Sequence, residues 1–309
     1  MKQARTQKGQ HIADLTEDQA RTYLESLLWA DGAVCPHCAS KNVYKMLGTS
    51  CRAGLHRCRA CEKQFTVTVG TIFEDSHIPL RKWVRAFHLM CSSKKGISAL
   101  QLQRNLGLGS YRTAWHMAHR IRLAMKCNPL SSLLTGTIEV DETYVGGKIR
   151  GQGHKKGFEN KIPVVSLVER GGNKRSMVMP KVNSKNLRAA IDANVEKYSF
   201  INTDESRLYL NLNKGFQHAT VNHREGEYSR KTGSGRTVTT NSVESSFALL
   251  KRGIVGAFHH VSKKHLHRYC DEFDFRWNER KAGDVERTQA ALRESKGKRL
   301  TYRPLASAA

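Results

Sequence analysis

The 309 residues carry 52 Lys and Arg against 27 Asp and Glu, a formal charge of +25. That length holds two or three domains and at least one sizeable core, and an excess spread along the whole chain points to a polyanionic partner, nucleic acid ahead of an anionic membrane. No apolar run approaches the ~18–20 residues of a spanning helix, the basic first fifteen residues lack the apolar stretch of a secretory signal, and eight clustered cysteines do not suit a secreted disulfide scaffold.

Residues 16–28 read as a short amphipathic helix. Thr16 and Gln19 fit a capping box, and Ala20, Tyr23, Leu24, Leu27 and Leu28 share one face. Next come Cys35-Pro-His-Cys38 and Cys58-Arg-Ala-Cys61, two CxxC pairs with nineteen residues between them. Each pair bends around one cation from a tight turn, and two pairs complete a tetrahedral thiolate shell, the donor set of a closed structural zinc site. Such a site does no chemistry; it stiffens a module that cannot build its own core. Cys51, His37 and His56 lie in the same segment without paired spacing and are expected as ordinary loop or strand residues. Cys91, Cys127 and Cys270 are isolated and expected in packing. The alternating run over residues 65–69 reads as a hairpin strand.

Residues 79–126 turn helical, with two glycine breaks. Ser98 is a candidate N-cap for a helix bearing Ala99, Leu102 and Leu106 that stops at Gly107, and Ser110 caps a second helix reaching about residue 126. The spacing suits a helix-turn-helix and, on pattern alone, any antiparallel helix pair. The charge of Arg81, Lys82, Arg85, Arg104, Arg112, Arg120 and Arg122 favours DNA. Tyr111, Arg112 and His116 stand near the end of the second helix that meets base edges, with Arg120 further along.

From residue 138 strand-like runs (138–145, 163–169, 175–179, 200–205) alternate with a helix over 184–197, and helices starting near Asn241 and spanning 262–280 close the region; this is an α/β pattern. Three acids stand out there. Asp141 lies within the first strand, Asp204 closes another, and Glu244 falls in the first turn of a helix. Singly, each reads as a strand-end or helix-cap residue; the order strand, strand end, helix is what informs. Carboxylates converging in that way hold two divalent ions, which activate a water or a DNA 3′-hydroxyl and stabilise the departing oxygen of a phosphodiester. Hard oxygen donors favour Mg²⁺ or Mn²⁺ over zinc. Two glycine-rich basic stretches, 146–156 with Lys155 and Lys156 and 224–236 with Arg236, suit contact with phosphate.

The stretches WADGAVCPHC, CRACEKQFTVTVGTIFEDSHIPLRKW, IEVDETYVGGK, INTDES and TTNSVESSFALLKRGIVGAFHHVSKKHLHRYCDEFDFRWNER resemble bacterial insertion-sequence transposases of the DDE class, most of all the fifteen-ninety-five insertion-sequence family. The resemblance runs from about residue 15 to 280. It implies a multidomain chain, with a zinc ribbon and helix-turn-helix followed by an α/β ribonuclease-H-like catalytic domain. It implies Asp141, Asp204 and Glu244 as the catalytic triad, with Asn241 as the alternative third member because the group varies between Glu and Asn there, and Lys251 as the lysine that follows. Glu244 and Lys251 are seven apart, so both leave one helix face, offering a carboxylate to metal and a cation to DNA phosphate; Arg252 adjoins. His259 and His260 belong to the motif without an assigned chemistry.

The expected division is an N-terminal amphipathic helix (1–30), a zinc ribbon (31–75), a helix-turn-helix region (76–130), a ribonuclease-H-like DDE catalytic domain (136–281) and a basic polar tail (282–309). The expected activity is metal-dependent 3′-end cleavage and strand transfer on double-stranded DNA, at inverted-repeat ends and target, by a homo-oligomer in the bacterial cytoplasm at the nucleoid, without a membrane partner. The alternatives are a non-catalytic DNA-binding regulator resting on the first two modules and a ribonuclease-H-type nuclease that cuts without joining.

Overall fold

The computed structural model describes residues 12–48, 50–126, 132–147 and 161–301. They fall into two compact units, one of residues 1–126 and 281–309, the other of residues 127–280. Lys155 and Lys156 lie outside the described residues.

In the first unit, α1 (Glu17–Leu28) starts at Thr16, whose side chain accepts from the Gln19 N–H while the Gln19 side chain accepts from the Thr16 N–H. Ala20, Tyr23, Leu24 and Leu27 are buried. β1 (Val43–Lys45), β2 (His56–Cys58) and β3 (Gln64–Phe65) make a small antiparallel sheet in that order. The strand expected over 65–69 stops at Phe65. Beyond it the Thr66 and Thr68 hydroxyls bond each other at 2.8 Å, and Val69 N–H and Thr71 N–H turn back to the carbonyls of Thr66 and Thr68. Threonine hydroxyls that bond locally compete with a ladder in this way.

α2 (Leu80–Ser92) follows Pro79, which offers no capping side chain. The two oxygens of Glu17 on α1 take that role, accepting from the N–H groups of Leu80 and Arg81 at 2.8 and 3.1 Å. α3 (Ala99–Leu106) is capped by Ser98 and ends at Gly107, whose φ of +56° is the left-handed conformation glycine adopts without steric penalty. Ser110 caps α4 (Tyr111–Met125).

The second unit is built on β4 (Thr137–Val145), β5 (Ile162–Glu169), β6 (Lys174–Val178), α5 (Ser184–Asn194), β7 (Phe200–Thr203), β8 (Gln217–Thr220), a hairpin of β9 (Ser229–Lys231) and β10 (Thr237–Thr239), α6 (Asn241–Gly253) and α7 (Leu266–Asn278). The five-stranded sheet has the order β6-β5-β4-β7-β8, with β4, β5 and β6 antiparallel and β7 and β8 parallel to β4. This mixed sheet is the ribonuclease-H-like arrangement. One face packs Ile138, Val140, Val165 and Leu167 with Leu187 and Ile191 of α5. The other packs Val145, Ile162, Val164 and Val168 with Val243, Phe247 and Leu250 of α6 and Leu266 and Phe273 of α7. Side chains alternate along a strand, so committing Ile138 and Val140 to the α5 face turns Glu139 and Asp141 toward α6.

The chain then returns to the first unit. Residues 282–309, expected as a basic polar tail, contain α8 (Asp284–Arg293), which buries Thr288, Ala291 and Leu292. Its Thr288 hydroxyl meets His88 Nδ1 of α2 at 3.3 Å, and Arg287 donates to the Cys91 carbonyl at 2.9 Å.

Candidate active site

The zinc-ribbon cysteines come together from two knuckles. Each CxxC is followed by a non-glycine residue with positive φ, Ala39 at +58° and Glu62 at +60°, the turn that swings both sulfurs of a pair to one side. The Sγ atoms of Cys35 and Cys61, and of Cys38 and Cys58, are 3.6 Å apart, and all four lie within 4.8 Å of one another. A tetrahedral zinc with Zn–S bonds of about 2.3 Å sets its sulfurs about 3.8 Å apart, so the cluster fits the ion. The Ala60 N–H donates to Cys58 Sγ at 3.4 Å, an interaction that favours a thiolate. Cys51, His37 and His56 are outside the cluster. His56 instead stacks on Phe65 at 5.7 Å, with its Nδ1 on the Gly54 carbonyl at 3.1 Å.

In the second unit, β4 and β7 pair in parallel, from Thr137 with Phe200 to Glu139 with Asn202. Two residues further on, the same offset brings Asp141 level with Asp204, just past the end of β7. Both sit at the edge where the sheet core ends, half-buried. Glu244 reaches the same neighbourhood from the first turn of α6, and its charge acts on Asp141 together with those of Glu142 and Asp204. Burial, reinforced by these like charges, pushes Asp141 up to about 7, although the Glu142 N–H donates to its Oδ1 at 2.7 Å. Burial also raises Asp204 and Glu142. A concentration of negative charge in a chain of net charge +25 is the feature that a divalent cation neutralises. The three carboxylates are more widely spaced than the four cysteines.

Glu244 is held on its helix by the Thr240 hydroxyl, which donates to Oε1 at 2.9 Å. His223 Nε2 lies 3.5 Å from the same oxygen and 3.1 Å from the Thr240 hydroxyl. Asn241, the alternative third member, is exposed at the start of α6 and its N–H is taken by the Thr239 hydroxyl.

The expected DNA-contacting residues divide. Lys251 and Arg252 are exposed near the end of α6, and Lys251 lines a groove with Tyr144, Lys161, His259, His260 and Lys263. Arg236 is exposed with its guanidinium 3.4 Å over the Phe200 ring. Tyr111 and Arg112 are exposed on the first turn of α4, while His116 is half-buried. Arg120 departs from expectation. It is buried, lies 5.5 Å over the Trp83 ring and donates to the Glu74 carbonyl, because eight residues along the helix the exposed stripe has rotated into the unit.

Residues 133–278 match the ISXO2-like transposase domain, and residues 15–64 match the transposase zinc-ribbon domain; together these matches cover well over half of the chain. The chain belongs to the IS1595 family of transposases. A relative with the same reach is an uncharacterized protein in transposable element ISH50 of Halobacterium salinarum, 26% identical over 279 residues that span 85% of this chain and 91% of the relative. Among solved structures, the transposase is similar to the HTLV-2 integrase catalytic core domain in complex with magnesium, at 13% identity and a TM-score of 0.27 over 45% of this chain and 85% of the other. It is also similar to a simian T-cell lymphotropic virus intasome bound to a PP2A regulatory subunit, at 14% identity and a TM-score of 0.28 over 56% and 63%. Neither adds to what the sheet order establishes.

Several residues at this edge of the transposase escape a motif reading. Glu142 accepts a 2.5 Å hydrogen bond from the buried Tyr209 hydroxyl, and Glu139 is buried two residues before Asp141. His223 and Thr240 flank Glu244. The period-two alternation Glu139-Val140-Asp141 was the available signal for Glu139, since it shares a face with Asp141. His223 had none, because its contact spans twenty-one positions and two elements.

Proposed function

We propose that this transposase binds the terminal inverted repeats of its insertion sequence, cleaves their 3′ ends and joins them to target DNA, using Asp141, Asp204 and Glu244 as ligands for Mg²⁺ or Mn²⁺. The observation that carries this reading is the placement of those three acids: two level on adjacent parallel strands, the third in the first turn of the helix packed against the same strand. Their all-oxygen donor set and their excess of negative charge fit hard divalent ions. When bound, such ions activate an attacking water or 3′-hydroxyl and stabilise the departing oxygen.

The chain's own residues supply the rest. Thr240 and His223 orient the Glu244 carboxylate. Lys251 and Arg252, about two turns further along α6, hold DNA phosphate, with Arg236, Lys155 and Lys156 adding phosphate contacts from the basic stretches that follow β4 and β9. α3 and α4 act as a helix-turn-helix, Tyr111 and Arg112 reading base edges from the exposed first turn of α4. The zinc ribbon joins them in end binding, and the active form is a homo-oligomer that brings two ends together.

The test is a supercoiled plasmid carrying both element ends, incubated with Mg²⁺, Mn²⁺ or chelator. Asp141→Ala, Asp204→Ala and Glu244→Ala should each abolish cleavage and joining while DNA affinity stays equal or rises slightly, since each deletion removes a metal ligand and relieves repulsion of phosphate. Double variants should be little worse than single ones, because the three act as a unit. Products formed in chelator, or full activity of Glu244→Ala, would overturn the assignment.

A further inference from the structure

The first turn of α6 carries Glu244, yet the residue that should cap this helix does not do so. Thr240 occupies the N-cap position and makes no side-chain bond to the helix backbone; its hydroxyl is spent on Glu244. A helix start leaves several N–H groups to be satisfied from elsewhere. Here the Asn241 N–H goes to the Thr239 hydroxyl at 3.2 Å and the Glu244 N–H closes the first intrahelical bond to the Thr240 carbonyl at 3.1 Å. The two between them, of Ser242 and Val243, both donate to Oε2 of Glu139, at 2.7 and 3.1 Å. The Ser242 hydroxyl donates to the other oxygen, Oε1, at 3.0 Å.

Glu139 has no solvent exposure. It is on β4, two residues from Asp141 and on the same face. Its charge is met by Arg170, whose Nη2 and Nε lie 2.9 and 3.3 Å from Oε1, and whose Nη1 donates to the Thr237 carbonyl on β10 at 2.8 Å. A buried carboxylate with five donors on its two oxygens holds one position, because losing any donor leaves charge unsatisfied in a dry site. The strand bearing one candidate metal ligand is therefore bolted to the helix bearing another, through a group that is itself not a ligand.

We propose that Glu139 is a positioning residue for the strand-transfer centre: with Arg170 as its counter-charge, it docks the α6 N-terminus on β4 and so fixes the distance between Asp141 and Glu244. The inference rests on the reading of those acids as the metal-binding triad. Two ions shared among carboxylates from different elements demand sub-ångström placement, and a displacement of about 1 Å is enough to cost on the order of 10²-fold in rate. Removing a partner that orients metal ligands typically costs roughly 10–100-fold in metal affinity or activity.

The experiment uses Glu139→Gln in the full chain, with single-turnover cleavage of a labelled element end titrated with Mn²⁺ and with Mg²⁺. The expected result is a single-turnover cleavage rate constant lower by roughly 10–100-fold and a higher Mn²⁺ concentration for half-maximal activity, with the Kd for end DNA within about twofold of wild type because no phosphate contact is touched. A purely architectural Glu139 would lower the melting temperature and leave the folded enzyme's cleavage rate constant and metal half-saturation unchanged; that outcome overturns the proposal. Should the single variant not fold, Glu139→Met combined with Arg170→Met leaves neither charge buried alone. Here the same loss of cleavage rate and shift in half-saturation are expected, and wild-type values again refute it. Glu244→Ala runs alongside as the control. If it still cleaves, the triad reading is what fails; if it is inactive while Glu139→Gln behaves as wild type, the docking inference is what fails.

Discussion

Arg112 and Arg120 are eight residues apart on α4 and count equally toward the charge of the chain, but their surroundings separate them. Arg112 is exposed on the first turn. Arg120 is buried against Trp83 with a bond to the Glu74 carbonyl, and burial lowers its pKa despite the nearby acids. Arg120→Ala should therefore cost stability, about 1–3 kcal/mol from the lost hydrogen bond and ring contact, read as a lower urea midpoint. Arg112→Ala should leave that midpoint unchanged and lower the preference for element ends over random DNA in competition binding. Unaltered stability in Arg120→Ala would return that residue to the surface. A sequence cannot distinguish these two arginines, since charge pattern records composition along a helix while burial depends on what packs against it. Asp141 and Asp204 stood out through the order strand, strand end, helix that they form with Glu244 and through the family motifs around them, since singly each reads as a strand-end residue. Glu139 is in an equally apolar run, yet its purpose is a pair of amides 103 and 104 positions away, which no local pattern announces.

Among elements, three helices carry caps that could be read from the sequence: Thr16, Ser98 and Ser110 each bond into the first turn that follows. α2 and α6 are capped instead by Glu17 and Glu139 from other elements; their starts near residues 79 and 241 showed in the sequence, the residues that cap them did not. The ribbon shows the same dependence on distant partners. Its core is Cys35, Cys58 and Phe65, with Trp29, Val43, Cys61 and Val69 around them, too small to stand without its cross-link. Cys61→Ser should release one zinc per chain and unfold this module, because the free energy of binding metal is folding free energy in such sites. Metal analysis and proteolysis between residues 31 and 75 would show it, and a metal-free ribbon that resists protease would contradict it. The parallel edge pair β7–β8 makes a pH-dependent prediction. His218 on β8 is half-buried with its Nε2 2.9 Å from the Thr203 hydroxyl, and burial lowers its pKa below the usual 6.5. A histidine kept neutral in the folded state contributes stability that is complete above pH 6.5 and is lost as pH falls below it, because the unfolded chain then binds the proton more readily. Wild type should thus lose more stability between pH 7 and 5 than His218→Gln does; equal losses in paired thermal melts would remove His218 from the account.

At the scale of the whole molecule, the first unit is discontinuous: the chain leaves it near residue 126, builds the ribonuclease-H-like unit, and comes back at residue 281. The returning segment completes a fold that was interrupted after residue 126. Thr288, Ala291, Leu292 and Ser295 are buried. The Ile72 N–H donates to the Ser295 carbonyl at 3.2 Å and the Gly297 N–H to the Gly70 carbonyl at 2.8 Å. Lys298 Nζ caps the end of α4, donating to the carbonyls of Ala124 and Lys126 at 3.0 and 2.8 Å. Composition hid this, because α8 is one short helix whose apolar face is little more than Ala291 and Leu292, set in a basic, polar sequence. Its energetic weight is larger than that face suggests. Losing a buried leucine such as Leu292 alone costs about 2–5 kcal/mol, a large share of the ~5–15 kcal/mol by which a domain is stable. Truncation after Arg280 should therefore destabilise the N-terminal unit, although the deletion is farthest from it in sequence, and leave residues 127–280 folded. DNA-end binding should fall while the far-ultraviolet signal of the α/β unit persists. Adding residues 281–301 back as a separate peptide should recover both stability and binding, at concentrations set by its affinity for the rest of the first unit. A truncated chain that melts and binds as the full one does would mean that α8 rests on the first unit without supporting it.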